Sequence, residues 1–158
     1  MMKPLTTAPN AIPWPPLIYG AAAVVAWLLG TIMPSAQFVP TALHPIGGVT
    51  MLAGLILDLS AMLTMYRQRA NILPHRAATT LVTSFPFSIS RNPIYLGNTI
   101  LVAGAALVFG NLWFVLLDAA AVQAVTILAI QREERHLAAL FGPEWHAYAR
   151  RVPRWFKL

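Results

Sequence analysis

The stretch QREERH, residues 131 to 136, sets the adjacent carboxylates Glu133 and Glu134 among Arg132, Arg135 and His136. Neighbouring residues of a helix point about 100° apart, so the two glutamates cannot serve one direction. One carboxylate can turn into a bundle and receive a cation, while the other pairs with Arg132, Arg135 or solvent. A second group lies in FSISRNPIYLG, Phe87 to Gly97. Asparagine is a favoured N-cap and proline a favoured first helical residue, so Asn92-Pro93 writes the start of a helix. The free amides and positive dipole end of that helix can receive an anion beside Arg91. A third candidate is Asp58, a carboxylate inside a long apolar run, where an ionisable residue stands as a functional hypothesis. Singly, these groups also fit an interfacial helix start and an ordinary surface ion cluster. The chain has no cysteine, which removes disulfides, thiolate metal sites and cysteine nucleophiles together. His44, His75, His136 and His146 have no spacing that assembles a metal site, so no metal is expected.

The elements that must position these groups are written in hydropathy. Of the 158 residues, 58% are hydrophobic and only 10% charged, less than half the charge of an average soluble domain. Apolar runs extend from about Leu17 to Met33, Ile46 to Tyr66, Pro93 to Phe109 and Leu112 to Ile130, broken only by Asp58 and Asp118. A bilayer core of roughly 30 Å needs about 17 to 25 helical residues per crossing. The pattern therefore predicts an all-α membrane protein with four transmembrane helices in two hairpins, the second closed by Gly110-Asn111. The fourth run continues as a cytoplasmic helical extension to the Gly142-Pro143 break, and a short amphipathic helix with Trp145 and Tyr148 completes the pattern. One domain spans residues 1–158. The net charge of +6 sits at the ends of the apolar runs, which points to a lipid bilayer and away from nucleic acid. Asp118 is expected to pair inside the bundle near the outer end of its helix. Gly97 and Gly104 share one face of the third helix and are expected to let a neighbour approach closely.

In order along the chain, LVTSFPFSISRNPIYLG, a hairpin, and REERHLAALFGPEWHAYARRVPRWF resemble the membrane-embedded methyltransferases that include isoprenylcysteine carboxyl methyltransferase and the phospholipid N-methyltransferases. The resemblance covers about residues 79–156. It implies a pocket for S-adenosylmethionine on the cytoplasmic side and a lipophilic methyl acceptor. By position it implies cofactor contacts from Thr79, Thr80, Leu81, Val82, Phe87, Asn92, Pro93, Ile94 and Tyr95, and from Glu133 or Glu134 as the cofactor-facing glutamate, the spacing back from Phe141-Gly142 favouring Glu133 and the apolar stripe of Ile130, Leu137 and Phe141 favouring Glu134. Glu133, Glu134, Arg91 and Asp58 are then the candidate catalytic side chains, and Arg132, Tyr148 and Arg154 the candidates for the acceptor. A glutamate, aromatic faces and a helix N-terminus suit a sulfonium cation with a zwitterionic amino-acid end. Trp145 stands where the family usually has tyrosine, and Asn92 where the prenylcysteine enzymes have histidine. Ala129 or Ile130 occupies the place of the arginine that meets a prenylcysteine carboxylate, so the acceptor stays open. The competing class is a non-catalytic membrane scaffold or transporter-like module that keeps the fold.

Lysines and arginines flank the apolar runs on one side only: Lys3; Arg67, Arg69, Arg76 and Arg91; then Arg132, Arg135, Arg150, Arg151, Arg154 and Lys157. The positive-inside rule places both termini and the central loop in the cytoplasm. A single cysteine introduced at Gln37 is therefore expected to react with a membrane-impermeant reagent only from the outer face. Labelling from the cytoplasmic face alone would reverse the topology.

Overall fold

The computed structural model describes residues 14–34, 39–70 and 79–156. Lys3, Pro13, Gln37, Pro74, His75, Arg76 and Lys157 lie outside the described residues. The chain forms α1 (Trp14–Ile32), a short 3₁₀ turn, α2 (His44–Arg67), α3 (Pro93–Phe109), α4 (Leu112–Val125), a π-helical turn (Thr126–Ile130) and α5 (Gln131–Arg151). Among the described residues there is no strand.

Prolines open α1, α2 and α3, at or next to the first helical residue, where a missing N–H forfeits no intrahelical bond. Gly110 ends α3 in the left-handed region (φ 55°, ψ 30°). Asn111 then accepts from the Trp113 N–H at 3.0 Å to cap α4 and donates to the Ala26 carbonyl at 3.2 Å, so one side chain closes the hairpin and ties it to α1. Three helical stretches are long and apolar enough to cross a membrane: Pro15–Ile32, Thr41–Arg67 and Leu112–Arg151. At 17 residues α3 rises about 26 Å, somewhat less than the hydrocarbon thickness of roughly 30 Å. Leu17, Val24, Val49, Leu52, Ile56 and Leu59 are all more than 50% exposed, a surface that only lipid can cover.

Of the two expected hairpins, the second is formed with α3 against α4, while α1 and α2 each find a different main neighbour. α2 lies along α3 and α1 along α4, with α3 also touching α4 and α1. The cause is a pair of glycine contacts spaced by seven residues on each helix. A methyl added at Gly54 would stand 2.6 Å from the Gly97 carbonyl oxygen, and one added at Gly47 would stand 2.8 Å from that of Gly104. The two backbones therefore approach closely at these glycines, in keeping with the shared face of Gly97 and Gly104. Asp58, one turn past Gly54, rests its carboxylate against Gly97.

Gly104→Ala would bring a methyl to 2.7 Å from the Met51 amide nitrogen and 2.9 Å from the Gly47 carbonyl. We expect it to cost about 1–3 kcal/mol, as overpacking does. At Gly48 an added methyl meets nothing within 4 Å, so Gly48→Ala should leave stability unchanged or slightly raised. Thermal unfolding of both variants in detergent checks the pair; equal midpoints would remove the contact from the account.

Candidate functional site

The inward stripe of α4 is Phe114, Asp118, Ala121 and Val125. Continued as a regular helix, it would pass near residues 129, 132 and 136 and turn Arg132 toward the bundle. The π-helical turn at Thr126–Ile130 takes up about one extra residue and rotates the start of α5 about the helix axis. Ala129 and Ile130 are both fully buried, Glu133 comes next on the inner side, and Arg132 is exposed. A local widening of one turn thus exchanges an arginine for a glutamate at the head of the bundle.

Glu133 meets α3 there. The hydroxyl of Tyr95, a residue only 9% exposed, donates to Glu133 Oε1 at 2.8 Å and to Oε2 at 3.0 Å. Glu134 points another way, and its partners are neither Arg132 nor Arg135. Arg154 grips it as a fork, Nη2 to Oε2 at 2.6 Å and Nε to Oε1 at 3.1 Å, while Arg91 Nη1 lies 3.2 Å from Oε1. The Glu134 side chain is 14% exposed and that of Arg91 15%, so this cluster is largely withdrawn from water. Hydrogen bonding to Glu134 raises the Arg154 pKa above its ordinary value, with burial opposing. The Arg91 guanidinium also stands 5.6 Å from the ring centre of Trp145, within cation–π range.

The C-terminal segment closes this arrangement. α5 bends at Gly142 (φ 48°, ψ −121°), where the left-handed φ favours glycine, and resumes at Pro143, as the Gly-Pro break predicts. Beyond Arg151 the backbone extends and crosses residues 90–92. The Arg91 N–H donates to the Pro153 carbonyl at 2.9 Å, and Asn92 Nδ2 donates to the Arg154 carbonyl at 2.9 Å. Ser90, fully buried, donates to that same carbonyl at 3.3 Å and accepts from the Asn92 N–H at 3.1 Å. Asn92 therefore stands at the N-cap position of α3 without capping it, its side chain oriented instead by the bond from Nδ2 to the Arg154 carbonyl. The first-turn amides of α3 have no side-chain cap.

Among the other expected contacts, Tyr148 donates to the Phe87 carbonyl at 2.7 Å; burial raises its hydroxyl pKa and the charge of Arg91 partly offsets this. Leu81 packs against the cluster of Trp145, Tyr148 and Val152. Val82 and Pro93 are buried and Ile94 half-buried. Thr79 and Thr80 are exposed, and Thr79 Oγ1 donates to the Arg69 carbonyl at 3.2 Å. Asp58 is 8% exposed, and its Oδ1 has no hydrogen-bond partner among the described residues. The same holds for Asp118, at 7%, so the bundle partner expected for it is not formed. Sequence reasoning passed over Ser90 and Tyr19; a serine in a loop and a tyrosine in an apolar run carry no signal beyond their polarity. An open cleft of about 290 Å³, near the lower end of ligand-pocket sizes, is lined by Gln131, Glu134, Arg135, Ala138 and Arg154.

Apolar helices long enough to cross a membrane, with an ionic, polar head at one end, describe an integral membrane protein. The profile of the phospholipid methyltransferase family matches residues 43–144, well over half of the chain, and the chain belongs to that family. It is 37% identical over 81 residues to the cobalt-zinc-cadmium resistance protein CzcN of Cupriavidus metallidurans, covering 51% of this chain and 37% of the relative. It is 35% identical over 81 residues to the nickel-cobalt-cadmium resistance protein NccN of Alcaligenes xylosoxydans xylosoxydans, covering 51% and 38%. The match thus spans less than half of the length of either curated relative. No solved structure matches the chain.

Glu134→Gln removes the charge that holds both arginines and leaves Arg91, 15% exposed, without its counter-ion. Because Arg154 is 37% exposed and partly screened, the expected loss is about 1–3 kcal/mol of stability. A lower unfolding midpoint, together with faster proteolysis of the C-terminal segment, checks it. Unchanged values would make the pair of ion contacts incidental.

Proposed function

We propose that this chain transfers a methyl group from S-adenosylmethionine to a lipophilic or membrane-associated acceptor at the cytoplasmic face. The observation that carries the reading is the Tyr95–Glu133 contact, which holds a carboxylate beside the uncapped N-terminus of α3 within the matched region. In this reading α1, α2, α3 and α4 with its π-helical turn are four spans. Arg67, Arg69, Arg91 and the basic residues of α5 and its tail mark the cytoplasmic side.

The side chains present fit the cofactor's chemistry. Glu133 offers a negative charge to a sulfonium or an ammonium group. Arg91 and Arg154, with the first-turn amides of α3, offer positive charge and donors to a carboxylate. Trp145, Tyr148 and Phe87 supply aromatic faces close by. When bound, S-adenosylmethionine supplies an electrophilic methyl group whose sulfur leaves as a neutral thioether. The protein contributes placement in a site withdrawn from water, which needs neither a metal nor an enzyme nucleophile. Tyr95 fixes the direction of the Glu133 carboxylate, and Arg91 and Arg154 hold Glu134 so that the two acidic groups stay apart.

Calorimetry and thermal unfolding of the purified chain in detergent test the reading. Binding of S-adenosylmethionine, with about 2.7 kcal/mol of added stability at 100 times its dissociation constant, is the expected result. Glu133→Gln should weaken that binding by about tenfold or more, equivalent to at least ~1.4 kcal/mol. Absence of both heat and stabilisation at millimolar cofactor would favour the non-catalytic membrane module instead.

A further inference from the structure

We propose that Tyr19, on a helix outside the matched region, is a positioning residue for the Tyr95–Glu133 contact. The inference rests on the reading of Glu133 as the cofactor-facing carboxylate. Tyr19 is 3% exposed in the apolar core, where a phenylalanine of the same shape would pack without the cost of burying a hydroxyl. Its hydroxyl lies 2.7 Å from Thr99 Oγ1 and 3.3 Å from the Tyr95 carbonyl oxygen. Thr99 Oγ1 donates to that same carbonyl at 3.0 Å. Each hydroxyl has one proton. With the threonine proton committed to the carbonyl, the tyrosine proton goes to Thr99 Oγ1, its shorter contact, with the carbonyl as second acceptor.

Tyr95 is therefore held from two sides, its peptide carbonyl from α1 and its side-chain hydroxyl by Glu133. α1 also packs along α4, whose continuation carries Glu133, and Tyr19 shares one core with Tyr95, Ala129 and Ile130. The Tyr19 hydroxyl consequently sets the first turns of α3 relative to the helix that presents the carboxylate. Without it, α3 keeps its glycine contact with α2 and its tail contacts, but the turn behind Tyr95 loses its lateral anchor.

The test is a double-mutant cycle of Tyr19→Phe and Tyr95→Phe, made in the full chain in lipid nanodiscs. Both substitutions remove a hydroxyl and preserve the ring. With S-adenosylmethionine as the probe, Tyr19→Phe is expected to weaken binding about three- to tenfold in the wild-type background. With the Tyr95 hydroxyl already absent, the same change should weaken it less than about twofold. A loss of equal size in both backgrounds, or no loss in the first, overturns the inference. A wild-type chain that binds no cofactor defeats the proposed function but not this test. The unfolding midpoints of the ligand-free variants then decide: shifts that are less than additive support a Tyr19–Tyr95 linkage, and additive shifts overturn it.

Discussion

Lipid gives apolar helices no reason to prefer one another over the bilayer, so close contact of backbones has to supply the preference. In this chain that contact is the antiparallel meeting of Gly47 and Gly54 with Gly104 and Gly97. Everything at the head of the bundle depends on it. It sets α3 against α2, brings Asp58 onto Gly97, and fixes the depth at which Pro93 and Tyr95 begin the third helix. A larger residue at any of these positions would move α3 away from α2 and carry Tyr95 with it.

On that frame the polar head is assembled from pieces far apart in sequence. Arg91 comes from the approach to α3, Glu134 from α5 and Arg154 from beyond it, and the tail returns across Ser90 and Asn92. Each glutamate has a separate duty because the helix turns them apart. Glu133 accepts from the hydroxyl of Tyr95, whereas Glu134 is paired with two guanidinium groups. A carboxylate engaged by two arginines ties the tail to α5 and the approach to α3.

Much of this was legible in the sequence because it follows from local rules. Apolar run length gave the helices, Gly110-Asn111 gave the hairpin, and Gly142-Pro143 gave the bend in α5. The shared face of Gly97 and Gly104 gave a helix contact, although nothing local named α2 as the neighbour. What stayed hidden depends on competition between distant groups. Asn92 has every local reason to cap α3, yet its side chain is turned so that Nδ2 donates to the Arg154 carbonyl, 62 residues away, and its oxygen makes no cap. The partners of Glu134 were likewise misjudged: adjacency favoured Arg132 and Arg135, yet the return of the tail brought Arg154 in with a bidentate fork. Thr79 and Thr80 lie exposed, while their neighbour Leu81 packs, partly buried, against the aromatic cluster of α5. Tyr19 could not be read at all without knowing that α1 comes to lie beside α3.

The π-helical turn also bears on how such chains are compared with one another. A widened turn is a helix that has accepted one residue more than its regular repeat, and the surplus is absorbed where it occurs. A sister protein lacking one residue between Thr126 and Ile130 would run as an uninterrupted helix and present its inward carboxylate from the equivalent of position 132. The group would occupy the same point in space with a different index along the chain. Matching such proteins column by column would then set Arg132 opposite that carboxylate and record a reversal of charge where none exists in three dimensions. Equivalence at this end of the molecule is therefore decided by which residue meets Tyr95, and counting along the helix cannot establish it.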